Sequence, residues 1–454
     1  MGSLKHKETT MLLIQNETTE FVKEKLSSFC KKTSEGLSKP KQKFMKDMLM
    51  GLCGTGSPSV HNISKFIQDN VSTKSSSERL YRNLRHNDYV EHIDKMLLHS
   101  VKPYITDETI FIVDESDIEK PYAKKMEGLQ KIYNGSEGKS TNGYLLANIV
   151  AYTPSKDSYM LLPVFSHLIA PNMEYDSAKQ IMQDAIIDME LTFNGKGTYV
   201  FDRGFDDRKL IEFLSNNGIQ FVIRGKGDRA VKEGLEEINF NKIVNEMEFK
   251  YELPGLKTNE VFHCATRRIN VRTDDHPSKK SNTVEISLVV SRIFRKGFKT
   301  RNDFYLLCDF ASQDMLDLEL VAKAIAVYKK RWAIEEVHRQ MKQSMKWEAM
   351  RLGSYQGMKN LNALMTLALF FIYMSKKYIA QFAVGFPKII NYKKEDLSRP
   401  KEFIYYRIAE VLSECIKFIV QYKRKLSLAE FLYQYHMKIW LCNKKYGNAQ
   451  IHFY

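Results

Sequence analysis

The chain has 454 residues, 43% of them hydrophobic, enough to bury a large core in two to four structural units and to exclude a disordered protein. Lysine and arginine (69) outnumber aspartate and glutamate (54), and the net charge of +15 gives a positive field suited to a polyanion such as nucleic acid. Six cysteines without a C-x-x-C pair or a metal-ligand spacing to histidine argue against structural zinc and for reduced thiols.

Residues 1–105 read as a helical DNA-binding region. Lysines and glutamates interrupt every apolar stretch before residue 48, so no signal peptide is expected. "KKTSEGLSKPKQKFMKDMLMGL" begins as a basic linker and becomes amphipathic after Pro40. "SPSVHNISKFI" (57–67) offers a serine at a helix start with proline just inside it. In "SSSERLYRNLRH" (75–86), Ser75 and Glu78 have capping-box spacing, and Arg79, Arg82 and Arg85 recur every third residue. Three short helices, the last rich in arginine, suit a helix-turn-helix-like DNA reader, and an ordinary bundle with a solvated basic face suits them equally.

Residues 106–225 change to strand texture. "ETIFIVDES", "NGYLLANIVAYTP" and "SYMLLPVFSHLIAP" predict three antiparallel strands, with turn residues in "TPSKDS". "SAKQIMQDAIIDMEL" reads as a helix, "GTYVFDRG" as a strand, "DDRKLIEFLSNNG" as a helix ending on Gly218, and "IQFVIRGKG" as a strand. Strand, helix and strand with short turns make a parallel crossover, so the fold class is α/β, a mixed sheet flanked by helices.

Residues 226–303 form a β-rich insertion, with strands "VFHCATRRINVRT" and "VEISLVVSRIF" around the polar loop "DDHPSKKSN". Residues 304–375 return to the core with the strand "DFYLLCDF" and one long helix from Asp317, "DLELVAKAIAVYKKRWAIEEVHRQMKQ". "LNALMTLALFFIYM" (361–374) is too short, and too polar at Asn362 and Thr366, for a lipid-spanning helix of roughly 20 apolar residues, so it reads as a buried core helix. Residues 376–454 read as a second helical region. A cytoplasmic protein with no membrane partner is expected.

The segment "YKKRWAIEEVHRQMK" (328–342) carries the densest chemistry. At about 100° per residue, Tyr328, Arg331, Glu335 and Lys342 fall within an arc of about 60°, with Arg339 near the same line, while Ile334, Val337 and Met341 face the other way. One side packs on the core. The other presents a carboxylate in a row of cations. A solvated face with an arginine–glutamate pair four residues apart is the plain alternative.

A carboxylate held in this way gains a use when two others converge on it. Asp114 and Asp202 each end a predicted apolar strand, where a side chain projects from a rigid frame. Three neighbouring acids repel unless a cation sits between them, and hard oxygen donors suit Mg²⁺ or Mn²⁺. Two such ions about 4 Å apart activate water or a 3′-hydroxyl in phosphodiester displacement. Each acid also has a local alternative: a turn cap for Asp114, Arg203 for Asp202, and Arg331 or Arg339 for Glu335. Glu115, Asp117, Asp206, Asp207 and Glu336 compete for the same role, although Asp206 and Asp207 read better as a helix start.

Tyr328, Arg331, Glu335 and Lys342 match the YREK signature of cut-and-paste bacterial transposases, the insertion-sequence family four, and the context "RWAIEE" is similar to it as well. "FIVDES" and "YVFDRGFDD" resemble the other two acidic motifs of that family, in the same order, 88 residues from Asp114 to Asp202 and 133 onward to Glu335. The resemblance covers about residues 105–375. It implies an RNase H-like core in which Asp114, Asp202 and Glu335 are the catalytic, metal-binding acids with two Mg²⁺ or Mn²⁺ ions. It also implies nicking of double-stranded DNA at terminal inverted repeats, strand transfer to target DNA by the 3′-hydroxyl, and a homodimer that synapses two ends near the bacterial nucleoid. Tyr328, Arg331 and Lys342 inherit contacts to the terminal strand; Arg203 and Arg339 join them as phosphate contacts, and Arg79, Arg82 and Arg85 serve the N-terminal DNA reader. Some relatives use a tryptophan before the signature helix to hold a flipped base during hairpin formation. Here no tryptophan lies between Asp114 and Trp332, and Tyr305 and Phe298 are the aromatic alternatives.

Overall fold

The computed structural model describes residues 2–422 except 68, 135–137, 156–157, 171–172, 174–177, 234–235, 256–258, 275–281, 296, 300–302, 311–314 and 391–403. Five helices come first: α1 (Gly2–Thr33), α2 (Lys39–Thr55), α3 (Val60–Ile67), α4 (Thr73–His86) and α5 (Val90–Val101). Strands β1 (Ile110–Glu119), β2 (Gln130–Asn134), β3 (Lys139–Ser155) and β4 (Ser158–Ile169) follow, then α6 (Ala178–Phe193), β5 (Thr198–Phe201), α7 (Arg208–Asn216) and β6 (Phe221–Arg224). The β-rich segment holds β7 (Ala230–Glu233), β8 (Glu236–Asn239), α8 (Phe240–Glu246), β9 (Tyr251–Pro254), β10 (Glu260–Arg272), β11 (Thr283–Arg295) and β12 (Phe298–Lys299). It leads to β13 (Phe304–Asp309), α9 (Asp317–Lys329), α10 (Ala333–Gln343), α11 (Tyr355–Met374), α12 (Ile379–Gly385), α13 (Pro387–Ile390) and α14 (Ile404–Tyr422).

The chain divides into two compact units, one of residues 1–56, 60–80 and 377–454 and one of residues 57–59 and 81–376, so the division falls inside α4. In the first unit α1, α2 and α14 pack on one another and α3 packs on α2. Phe44, Met48, Leu49, Leu52, Ile408, Leu412 and Ile416 are fully or almost fully buried there. The close approach of α2 to α3 requires Gly51, because a Cβ at that position would lie 2.3 Å from Ile63 Cγ2. The cap of α4 is Ser72 rather than Ser75: the Ser72 hydroxyl accepts the Ser75 N–H at 3.1 Å, one turn earlier than the capping-box spacing predicts. Much of the C-terminal helical region, including Cys442, lies outside the described residues; the five described cysteines are free and buried.

The second unit is built on a mixed sheet. Its order is β2-β3-β1-β5-β6-β13-β11-β10-β7-β8, with β4 also on β3, β9 on β10 and β12 on β11. The long β3 has room for β2 along residues 139–143 and β4 along 145–155. The sub-order β4-β3-β1-β5-β6 has antiparallel pairing up to β1 and parallel pairing from β1 through β5 to β6. The β5–α7–β6 crossover is the one the apolar pattern predicts. The β-rich segment extends this sheet instead of forming another, because β13 pairs antiparallel with both β6 and β11. Helices α5, α6 and α11 pack on β4, α10 on β1, and α9 on β5, β6 and β13. Helix α5 thus belongs to the sheet unit.

Helix α11 starts at Tyr355, capped by the Ser354 side chain, six residues before the apolar run that predicts it. The segment it opens is long and apolar enough to cross a bilayer on length and composition, but most of it is buried inside the protein. Its polar residues have internal partners. Asn360 Nδ2 donates to the Leu84 and Asn87 carbonyls at 2.8 and 2.7 Å, and its Oδ1 accepts the Tyr89 N–H at 2.8 Å, closing the α4–α5 turn. Asn360→Leu keeps the volume but leaves three buried backbone groups without partners; about 3–5 kcal/mol of stability should be lost, visible as a lower urea midpoint with unchanged slope.

Candidate active site

β1 and β5 run parallel and in register from Ile110–Thr198 to Val113–Phe201. Asp114 and Asp202 are the next residue on each, so residues 88 apart in sequence lie side by side. Asp202 follows its strand, as expected. Asp114 does not end β1, which continues to Glu119, and its Oδ1 accepts the Glu115 N–H at 2.9 Å.

The helix predicted from Asp317 through Gln343 is broken. α9 stops at Lys329, a 3-10 turn spans Lys330–Trp332, and α10 restarts at Ala333. The turn directs Arg331 inward and Trp332 outward, 7% and 63% exposed. Arg331 Nη1 lies 3.6 Å from Asp114 Oδ2, and Nη2 donates to Glu335 Oε1 at 3.1 Å. Tyr328 donates its hydroxyl to Asp202 Oδ1 at 3.2 Å. On α10, Ile334, Val337 and Met341 are buried, matching the apolar face expected of them.

The electrostatics follow from burial. Burial pushes the Asp114 carboxyl up to about 6, with Arg331 pulling it down and the Asp202 and Glu115 carboxylates adding to the rise. Burial, followed by the Asp202 charge, raises the Tyr328 phenol to about 12. Burial opposes the Arg331 charge, but Asp202, Tyr328 and Asp114 outweigh it and hold the guanidinium above its ordinary value. Among the described residues no three histidine, cysteine or acidic side chains form a ready ion cage. The structure brings Asp114 and Asp202 together and ties Glu335 to Asp114 through Arg331.

The remaining candidates are spread out. Lys342 Nζ pairs with Asp117 Oδ1 at 2.9 Å, giving Asp117 a clear job. Arg203 is exposed in the short 3-10 turn after Asp202, and no ion pair joins the two. Arg339 is exposed on α10 near Glu336. Arg82 and Arg85 are exposed on α4, whereas Arg79 is committed to Asp47 and Asp69 at 2.7 and 3.0 Å. Asp207 caps α7 through the Leu210 N–H; Asp206 does not cap it and instead pairs with Arg229 and accepts the Lys226 N–H. Phe298 is exposed, while Tyr305 packs on Phe240.

Two residues near the acids carry no sequence signal strong enough to single them out. His338 Nε2 is buried without a partner, and burial, reinforced by Lys342, holds the imidazole neutral down to about 4. Asn148, the residue directly across β3 from Asp114, is fully buried with neither end of its amide bonded.

The model of the transposase DDE domain matches residues 105–371, more than half of the chain. The chain belongs to the transposase DDE-domain family. No curated protein matches it. The matched span takes in β1, β5 and α10, and therefore Asp114, Asp202 and Glu335. Membership of this family implies DNA as the partner, which agrees with the net charge of +15.

The raised Asp114 carboxyl has a consequence for stability. An acid whose folded pKa exceeds its unfolded value weakens the fold as pH rises between the two, here from about 4 to about 6. Asp114→Asn should therefore stabilise the metal-free protein at pH 7.5 by roughly 1–3 kcal/mol, a gain that disappears near pH 3, where the wild-type carboxyl is protonated in both states. Urea unfolding in EDTA at the two pH values measures it.

Proposed function

We propose that the protein is a cut-and-paste transposase of insertion-sequence family four with an RNase H-like core. It nicks double-stranded DNA at terminal inverted repeats and joins the freed 3′-hydroxyls to target DNA. The observation that carries this reading is the parallel β1–β5 register setting Asp114 beside Asp202, with Tyr328 and Arg331 of the signature segment on those two acids and Glu335 joined to them through Arg331. The sub-order β4-β3-β1-β5-β6, antiparallel on one side of β1 and parallel on the other, supports the RNase H-like assignment.

The donor set fits a divalent ion. Asp114 and Asp202 offer hard oxygens from a stiff frame, and the burial and like charge that raise the Asp114 carboxyl are what a bound Mg²⁺ or Mn²⁺ relieves. Asp114, Asp202 and Glu335 would hold such ions, which when bound would supply an activated oxygen nucleophile and offset the charge on the leaving oxygen. The chain's own part is to place the strand. Arg331, Tyr328 and Lys342 hold the phosphates of the terminal strand, with Arg203 and Arg339 as exposed contacts farther out. Arg82 and Arg85 serve the helical DNA reader. A homodimer brings two element ends together, and the protein works at the nucleoid in the bacterial cytoplasm.

Glu335→Gln should reduce cleavage of an end duplex by on the order of a thousandfold in Mg²⁺ while its binding in a gel shift stays within about threefold of wild type. Wild-type turnover in that variant removes Glu335 from the site. Arg331→Ala should weaken binding of the pre-nicked end by about tenfold, and the slope of its salt dependence should fall by about one as a phosphate contact disappears. Incubation of wild type with an end duplex, a target plasmid and Mg²⁺ should give joined product; cleavage with no joining assigns a nuclease instead.

A further inference from the structure

Asn148 is a fully buried polar side chain of β3, flanked by Ala147 and Ile149, and the amide lies on the same sheet face as Asp114 because the two are cross-strand partners. Side chains of directly opposed residues have Cβ atoms roughly 4.5–5.5 Å apart, within the reach of a carboxylate and an amide. Across its other edge Asn148 opposes Ser166 of β4. Ser166 is held in turn by α11: Asn362 Nδ2 donates to the Ser166 carbonyl at 2.7 Å and to its Oγ at 3.2 Å. All three residues of this row are at most 2% exposed.

Leaving an amide buried and unbonded is destabilising, and an apolar residue of the same size avoids that cost. Donor and acceptor bookkeeping shows what the amide is available for. Ser166 Oγ already accepts from Asn362, so its own hydrogen is free to donate, and Asn148 Oδ1 is an unfilled acceptor on the neighbouring strand. With its oxygen turned to Ser166, the Asn148 amine, also unfilled in this structure, would face β1 and its cross-strand partner Asp114.

We propose that Asn148 is a positioning residue: when the divalent cation binds, the row Asn362, Ser166, Asn148 closes and the Asn148 amine, unbonded in the metal-free chain, donates to the Asp114 carboxylate and fixes it in the orientation that binds the cation. The inference rests on the assignment of Asp114 as a cation ligand. Asn148 itself touches neither cation nor DNA. Outer partners that orient a ligating carboxylate typically change metal affinity by about 10–100-fold.

The test is Mn²⁺ titration by calorimetry on the full chain, paired with thermal unfolding in EDTA. Asn148→Leu should bind Mn²⁺ about tenfold more weakly while its unfolding temperature stays level or rises, because the unbonded amide is gone. Ser166→Ala, which removes only the relay hydrogen, should weaken Mn²⁺ binding by a smaller factor, about threefold, and serves in its place if the leucine variant does not fold. Asp114→Ala is the control and should abolish that binding. Wild-type affinity in Asn148→Leu and Ser166→Ala alongside loss in Asp114→Ala overturns the positioning role and leaves the site assignment standing. A fall in affinity that comes only with a matching fall in unfolding temperature makes Asn148 structural and also overturns it. Unchanged affinity in Asp114→Ala overturns the site assignment itself.

Discussion

Two carboxylates set side by side on neighbouring parallel strands are the constraint on which the active centre depends. The β1–β5 register leaves Asp114 and Asp202 no freedom to separate without breaking the sheet, and burial deepens their mutual repulsion. Something positive must lie close. In this structure Arg331 does, buried over the pair and held charged by them. The 3-10 turn at Lys330–Trp332 then has a physical purpose, since an unbroken helix would carry the guanidinium elsewhere, while the turn sends Arg331 inward and Trp332 to solvent.

How much of this could be seen in the sequence depends on the range of the interaction. The apolar alternation of "ETIFIVDES" and "GTYVFDRG" was enough to tie Asp114 and Asp202 to two strands, with Asp202 directly after its own, and the periodicity of Ile334, Val337 and Met341 identified the buried face of α10. Those are local patterns with a period of two or 3.6 residues. The continuation of β1 past Asp114 was hidden because polar residues after the acid, Glu115 to Asp117, imitate a strand end. The break between α9 and α10 was hidden because lysine, arginine and tryptophan are all compatible with helix, and only the buried charges of a distant strand favour the turn.

Pairings across the sheet were the least legible. Nothing local shows that the β-rich segment continues the main sheet through β13, since that follows from β13 lying between β6 and β11. The same holds for Asn148. In "LLANIVAY" it looks like one polar interruption of an apolar strand, and its meaning comes only from facing Asp114 on one side and Ser166 on the other. Arg79 is the converse case: its three-residue rhythm with Arg82 and Arg85 suggested one basic face, but Asp47 and Asp69, remote in sequence, take it out of that row.

The cations near the acids share one further property. Arg331 is paired with Glu335 and Asp114, Lys342 with Asp117, and Lys179 with Asp207. On the proposed reading, the chain's own carboxylates stand where phosphate oxygens would sit once DNA is bound. Binding DNA at this centre would then be an exchange of partners for the cations, not a gain of new charge pairs, and its strength would depend on the difference between phosphate and carboxylate as acceptors. The net charge of +15 draws DNA to the surface from a distance. At the acids themselves the same reading makes geometry decide, because the planar Arg331 guanidinium, already paired with Asp114 and Glu335, would have to turn from a carboxylate to donate to a phosphate.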